Sequence, residues 1–174
     1  MAGTFDVLPD IVYHWRIHDD GSSITQQRSS VRDLTDRWKT KRMSYTAVRA
    51  GDDATVESVF VDRVLAGDLW RYFPEVPGCS DEWWALLRDG VREFWGQRSL
   101  AHSGLPPVHR LAGWLVEQDR REDAAALMTR AAALTGPAPQ TTDAAGRHID
   151  IPSEVLDLST VDAAALALRP HELR

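Results

Sequence analysis

The sequence predicts a mainly α-helical protein, in which a bundle of about five helices follows a short β/loop segment and precedes an extended tail. Three observations favour this fold class. Apolar residues recur at three-, four- and seven-residue steps between residues 31 and 134, as expected for helices with one buried face. Capping residues and Gly or Pro breakers separate these stretches. The alternation typical of a strand is confined to residues 11–18.

These patterns divide the chain into three regions. Residues 1–27 contain the strand and a loop, residues 28–136 the helices, and residues 137–174 a linker and the start of a C-terminal module. The 174 residues are enough to bury a core. A single strand cannot bury its apolar face without partner strands, and the sequence supplies none nearby. We therefore expect the chain to be part of a larger protein.

Composition excludes several classes of protein. The chain is 43% hydrophobic and 26% charged, as in soluble globular proteins. It contains no apolar run of the ~18 residues that a membrane span needs, and its first residues do not resemble a secretory signal. A lone cysteine, Cys79, favours a reducing cytoplasm. The net charge of −6 argues against general nucleic-acid binding.

The N-terminal strand has two unlike faces. Apolar side chains occupy one face, and polar or basic ones, including His14, Arg16 and His18, occupy most of the other. A turn at Asp19-Asp20-Gly21 leads to hydroxyl groups. This arrangement suits an anion such as a phosphate. The residues of the apolar face are Ile11, Tyr13, Trp15 and Ile17, and the hydroxyl residues are Ser22, Ser23 and Thr25.

Start signals mark each of the five helices. Ser29 or Ser30 caps the first helix, Asp52-Asp53 the second and Ser80 the third. Pro106-Pro107 suits the first turn of the fourth, and Asp119-x-x-Glu122 is a capping box for the fifth. The predicted inward side chains are, helix by helix, Val31, Leu34, Trp38, Tyr45 and Val48; Val56, Val59, Phe60 and Val64, with Trp70 and Phe73 as further candidates; Trp84, Leu87, Val91, Phe94 and Trp95; Leu111, Trp114, Leu115 and Gln118; and Leu127, Met128 and Leu134.

The composition changes after Gly136. Residues 137–147 are rich in Pro, Thr, Gln, Ala and Gly, which favours a linker. Residues 148–152 resemble a brief extended piece, and residues 155–168 are apolar enough to begin another small domain or to form a docked tail.

The first predicted helix is strongly basic. It leaves two interpretations open: a surface for an anionic polymer or an anionic membrane, or a solvated face that pairs with acidic neighbours in the bundle. Asp33 and Asp36 are the only carboxylates in this stretch. Its cations are Arg28, Arg32, Arg37, Lys39, Lys41, Arg42 and Arg49.

Other motifs carry little chemistry. His14 and His18 would lie about 13 Å apart on a strand, too far to share a metal ion, so we predict no metal site. His102 and His109 flank a Gly-Pro-Pro loop and are predicted surface residues, and Cys79 is predicted to lie in a turn. Tryptophans at helical spacing favour a bulky core over a carbohydrate-stacking platform. These are Trp38, Trp70, Trp83, Trp84, Trp95 and Trp114.

The segment Tyr13-x-Trp15-Arg16 followed by Gly21-Ser22-Ser23-Ile24-Thr25 resembles the end of the catalytic domain in bacterial family 2, GT-A type glycosyltransferases. It is most similar to those acting on teichoic-acid-like polyol-phosphate polymers, and the helices that follow resemble the helical linker of wall teichoic acid glycosyltransferases. The resemblance implies that Arg16, His18, Ser22 and Ser23 contact the diphosphate of the sugar donor.

The resemblance also implies what the chain lacks. It contains no Asp-x-Asp motif for a divalent metal and no strand–helix region before Tyr13, and no catalytic base is assigned. We therefore expect no cofactor in this chain, with Mg²⁺ or Mn²⁺ needed only in the intact enzyme. Whether the chain is itself an enzyme stays open.

The expected function is that of a non-catalytic C-terminal portion linking the catalytic and C-terminal modules. Its partners would be a nucleotide-sugar donor and an anionic polymer acceptor, with no nucleic acid. Location in the cytoplasm, peripheral contact with a membrane and homo-oligomerisation complete this expectation. The alternative is a stand-alone helical interaction module that presents its basic helix to an anionic partner.

Overall fold

A computed structural model describes residues 30–144 and 146–173. These residues confirm the mainly α-helical fold, with a single two-stranded sheet among them. The predicted N-terminal strand and loop lie outside the described residues. The helices are α1 (Val31–Arg49), α2 (Ala54–Val59), α3 (Asp81–Trp95), α4 (Pro107–Glu117), α5 (Arg121–Ala133) and α6 (Ala163–Leu166), and the strands are β1 (Gln140–Asp143) and β2 (Gly146–Ile149).

Most of the predicted helix starts are confirmed. The hydroxyl of Ser30 accepts a hydrogen bond from the amide of Asp33, and Asp53 and Ser80 cap α2 and α3 in the same manner. Pro107 occupies the first position of α4, where its missing N–H costs nothing. Each cap satisfies a backbone donor that the helix leaves unpaired.

The capping box predicted for α5 is wrong. This helix begins at Arg121, and Arg120 precedes it without a side-chain cap. The carboxylate of Asp119 is turned elsewhere: it accepts hydrogen bonds from Trp84 Nε1 at 2.8 Å and from Arg88 Nη1 at 2.9 Å. A long-range pair has therefore displaced the local one.

The second predicted helix is broken. After α2, a π-helical turn spans Phe60–Leu65, and two 3₁₀ turns follow at Leu69–Arg71 and Phe73–Glu75. The extra residue of a π turn changes which side chains face inward. Val64, inside the π turn, is therefore exposed; Val56 and Val59, predicted to face inward, are exposed on α2, which buries no residue, and Gln118 after α4 is exposed as well. The apolar side chains that this region does bury include Val61, Leu65 and Leu69.

The core is built around α4. All eight residues from Arg110 to Glu117 are buried, because α3, α5, α6 and the 3₁₀ turn at Leu100–His102 contact this helix. On another side of the core, α1 packs on α3 at Gly90. A Cβ atom at Gly90 would lie 2.1 Å from the Trp38 ring, so only glycine permits this approach.

The chain after Gly136 packs onto the same core. Within the stretch predicted as a linker, β1 pairs antiparallel with β2, with Gln140 opposite Ile149. His148 forms a further antiparallel bridge with Ala167. The domain boundary at residues 136 and 137 stays a prediction. Side chains that this region adds to the core include Ile149, Ile151, Leu156 and Ala165.

No helix among the described residues is long and apolar enough to cross a membrane.

Candidate functional site

The four residues predicted to contact a diphosphate lie outside the described residues. Arg16, His18, Ser22 and Ser23 therefore stay predictions. The described chain begins at Ser30, so a candidate site must be sought from α1 onward.

Several cations of α1 pair with acidic residues of neighbouring elements, which confirms the second interpretation of the basic stretch for those residues. Arg42 donates Nε and Nη2 to the Glu93 carboxylate of α3. Arg37 and Lys41 lie beside Asp68. Arg42 is itself exposed, and the other exposed cations of the helix are Arg32, Lys39 and Arg49.

Three cations converge on one carboxylate in what we call the Asp68 cluster, made of Arg37, Lys41, Asp68, Arg71 and Tyr72. Asp68 Oδ2 lies 3.4 Å from Arg37 Nε and 3.4 Å from Lys41 Nζ, and its Oδ1 lies 3.7 Å from Arg71 Nε. A charge-assisted hydrogen bond is usually about 2.7–2.9 Å long. Asp68 is thus central to the cluster but tightly bonded to none of its cations.

The broken second helix builds this cluster. Lys41, only 5% exposed, donates from Nζ to the carbonyl of Leu65 at 2.9 Å. Leu65 ends the π turn, and the following 3₁₀ turn carries Arg71 to the side of Asp68. Burial lowers the pKa of Lys41, and the nearby charge of Asp68 offsets only part of that shift.

Tyr72 connects the cluster to the start of α1. Its hydroxyl accepts a hydrogen bond from Arg37 Nε and donates one to Asp33 Oδ2, each at 3.0 Å. Burial raises the pKa of Tyr72 to about 12, while Arg37 opposes the shift. The phenol is therefore neutral at physiological pH and bridges Arg37 and Asp33, whose charge also acts on Arg37.

The cluster has more positive charge than its carboxylates neutralise. Three cations lie near Asp68, and Asp33 is linked to one of them, Arg37, through the Tyr72 hydroxyl. The Nε of Arg71 is buried and has no hydrogen-bond acceptor among the described residues. The side chains of Arg37 and Arg71 are 36% and 38% exposed. The arrangement can supply guanidinium donors to an anion arriving from solvent.

Trp70, next to this cluster, is the exception to the predicted tryptophan core. The five other tryptophans of the helical region are at most 9% exposed, but Trp70 is 43% exposed. The guanidinium of Arg71 lies over its ring at 5.5 Å from the ring centre. Such cation–π contacts hold an arginine in one orientation.

An apolar groove of about 550 Å³ lies beyond Trp70. His109 lines it, stacked against Phe73 at 6.2 Å between ring centres. The prediction that His109 is a surface residue is wrong in part, because the ring is half-buried and its Nδ1 is buried without a partner among the described residues. Burial lowers the pKa of His109, so the groove contains a neutral imidazole.

A second pocket, of about 470 Å³, lies between β2 and the C-terminal segment. His148 lines it, with Nε2 3.1 Å from an Asp143 oxygen and Nδ1 2.9 Å from the Ile149 carbonyl. Both ring nitrogens thus face acceptors. The Ile149 carbonyl and then Asp143 raise the pKa of His148. Both contacts lie within the β1–β2 hairpin, so this histidine stabilises the hairpin. The other walls of the pocket are mainly apolar.

Within the described part of the chain, no group of three His, Cys, Asp or Glu side chains is placed to hold a metal ion. Cys79 is half-buried, and Arg121 donates a hydrogen bond to its carbonyl. Burial raises the pKa of the Cys79 thiol despite the nearby charge of Arg121. The thiol is thus not activated as a nucleophile.

Sequence reasoning identified Arg37 and Lys41 as part of a basic helix but missed Asp68, Arg71 and Tyr72. The only local signal was the spacing of Asp68 and Arg71, three residues apart. The other contacts of the cluster join residues far apart in sequence, and helical periodicity does not predict them.

Comparison of the chain with protein-family models, with curated proteins and with solved structures finds no match in any of the three.

Proposed function

We propose that this chain is the C-terminal, non-catalytic portion of a glycosyltransferase acting on a polyol-phosphate, teichoic-acid-like or cell-surface glycan acceptor. The observation that carries the proposal is the segment from Tyr13 to Thr25, with its aromatic-basic strand followed by Gly-Ser-Ser-Ile-Thr. In the intact enzyme, the helical bundle links the catalytic domain to a C-terminal module.

The diphosphate loop acts by electrostatics. Arg16 and His18 stabilise the charge that develops on the departing nucleotide diphosphate, and the hydroxyls of Ser22 and Ser23 donate hydrogen bonds to it. Such donors need a fixed support. The helix that follows offers one, because Ser30 caps α1 and Leu34 and Trp38 anchor it with no exposed surface.

A divalent metal, Mg²⁺ or Mn²⁺, belongs to the intact enzyme in this proposal. The described residues do not fit it, because they contain no cluster of three suitable ligands. The donor is a nucleotide sugar and the acceptor an anionic polymer. We place the protein in the cytoplasm, with peripheral membrane contact and homo-oligomerisation as further parts of the proposal.

Titration calorimetry of the full chain with uridine or cytidine diphosphate, each with Mn²⁺, tests the loop. We expect millimolar binding that is lost in Arg16→Ala and kept in Arg49→Ala, which removes an exposed cation at the end of α1. If a cooperatively folding chain binds neither nucleotide, or if both variants bind as the wild type does, the proposed role of the loop is wrong.

A stand-alone interaction module is the second candidate. It is favoured by Arg32 and Lys39, which remain exposed two turns apart on α1 and therefore share one face. Binding of polyglutamate that falls in an Arg32→Gln, Lys39→Gln double variant, without nucleotide binding, would favour this candidate. Equal binding by both proteins would argue against it.

A further inference from the structure

Two guanidinium groups of the Asp68 cluster have N–H donors that make no hydrogen bond within the described residues. Arg37 uses its Nε for the Tyr72 hydroxyl, and its terminal nitrogens donate no hydrogen bond within the described residues. Arg71 makes no side-chain hydrogen bond there either, and its nearest carboxylate oxygen is 3.7 Å away. Each guanidinium presents a planar fork of N–H donors that matches two oxygens of an oxyanion.

The cluster also lacks the negative charge that would neutralise it. Among the described residues, Asp68 is the carboxylate within 4 Å of Arg37, Lys41 and Arg71, at 3.4, 3.4 and 3.7 Å, and Asp33 adds its charge only near Arg37. Lys41 is buried and cannot reach solvent for a counter-ion. Positive charge therefore remains where the two arginines are exposed, and it is little screened on its buried side.

We propose that the Asp68 cluster binds a phosphoryl oxyanion between the guanidinium groups of Arg37 and Arg71. A phosphoryl group has enough oxygens to accept from both forks at once and a charge between about −1.5 and −2. A carboxylate has two oxygens and one charge, so it satisfies fewer of these donors. The positive charge of the buried Lys41 adds electrostatic attraction for the anion, and the Trp70 ring holds the guanidinium of Arg71 in place.

This site goes beyond the proposed glycosyltransferase function and does not rest on it. All its residues lie between Asp33 and Tyr72, and the site needs neither a metal ion nor the loop containing Arg16. The phosphoryl group has two possible sources, a small soluble phosphate or a lipid headgroup, which share the same chemistry at the site.

Titration calorimetry of the full chain with inorganic pyrophosphate, without metal and at constant ionic strength, tests the site. We expect saturable binding that weakens about tenfold or more in Arg71→Gln and in Arg37→Gln, since each loses a charge-assisted hydrogen bond. Arg49→Gln is the matched control, because it removes an exposed charge from α1 outside the cluster and is expected to bind as the wild type does.

Vesicles of phosphatidylcholine, with and without phosphatidic acid, whose headgroup is a phosphomonoester, provide the second arm. Binding to the anionic vesicles that Arg71→Gln abolishes assigns the phosphoryl group to a lipid, whereas binding to pyrophosphate alone assigns it to a soluble ligand. Either result supports the site. The proposal is overturned if the wild-type chain binds neither probe, or if Arg49→Gln weakens binding as much as Arg71→Gln does.

Circular dichroism spectra and thermal transitions of each variant distinguish lost binding from lost folding. If Arg71→Gln fails to fold, Arg37→Gln decides, because Arg37 lies on the long, well-anchored α1. The loop is tested by Arg16→Ala with a nucleotide diphosphate and Mn²⁺, and this site by Arg71→Gln with pyrophosphate and no metal, so the failure of one proposal is separable from the failure of the other.

Discussion

Two buried cations in this molecule have very different surroundings. Arg110, with no exposed side-chain surface, donates to both oxygens of Glu172 at 2.7 and 3.1 Å and to the carbonyls of Leu105 and Ala167. Lys41, 5% exposed, donates to the Leu65 carbonyl and shares the Asp68 carboxylate with two arginines.

The difference separates a structural cation from one that belongs to a binding surface. Removing a charge from water is costly unless the partner is close and the remaining donors are bonded. Arg110 meets this condition at its terminal nitrogens, although its buried Nε has no acceptor among the described residues, and it joins the C-terminal segment to α4. The cations around Asp68 do not meet this condition. An anion from solvent would therefore stabilise them more than it would stabilise Arg110.

The largest expected effect follows from breaking the Arg110 pair. Glu172→Gln leaves a fully buried guanidinium without its counter-charge, and we expect the free energy of unfolding to fall by about 3–5 kcal/mol. Urea denaturation followed by circular dichroism measures this. Glu154→Gln, at an exposed carboxylate, is the control; equal losses for the two variants would contradict a structural role for the pair.

The same pair predicts a pH dependence. Burial alone would raise the pKa of Glu172, but hydrogen bonds and charge from Arg110 outweigh it and lower the pKa. Because the pKa is lower in the folded state, the stabilisation is complete above the unfolded value of about 4.3 and is lost as pH falls through the folded value. The stability difference between wild type and Glu172→Gln should narrow on acidification, and a constant difference would refute this.

A smaller effect is expected at Asp68. Asp68→Asn leaves three cations together, but the carboxylate is 24% exposed and its contacts are long, so we expect a loss of about 1–3 kcal/mol. Replacing chloride by phosphate at equal ionic strength should recover part of the loss for this variant and none for Glu172→Gln. Recovery in both variants would indicate a general salt effect.

The smallest effect concerns Tyr72. Tyr72→Phe removes the hydroxyl between Arg37 and Asp33, and we expect a loss of about 1 kcal/mol, the usual net contribution of such a bond. Freeing the Arg37 Nε should also strengthen pyrophosphate binding slightly. Thermal unfolding and calorimetry measure the two effects, and weaker pyrophosphate binding would contradict the donor count.

The sequence predictions succeed where the interactions join residues that are close together in the sequence. Helix starts at Ser30, Asp53 and Ser80 were predicted because a capping side chain acts within one turn. The buried face of α3 was predicted because four residues at helical spacing contact one core.

The failures come from contacts between distant residues. The π turn after Val59 changes the phase of the second helix, Asp119 is taken by Trp84 and Arg88, and β1 forms inside a stretch with linker composition. The Asp68 cluster also depends on that π turn and on contacts across two elements. Periodicity reports one element at a time, so it found the basic helix without its partners.

The most direct test of this contrast is the NMR spectrum of the arginine Nε–Hε groups in the full chain as pyrophosphate is added at constant ionic strength. Single variants assign the signals. We expect the resonances of Arg37 and Arg71 to shift together and to saturate, while the resonance of Arg110 does not move. Unchanged Arg37 and Arg71, or a uniform drift that includes Arg32, would contradict it.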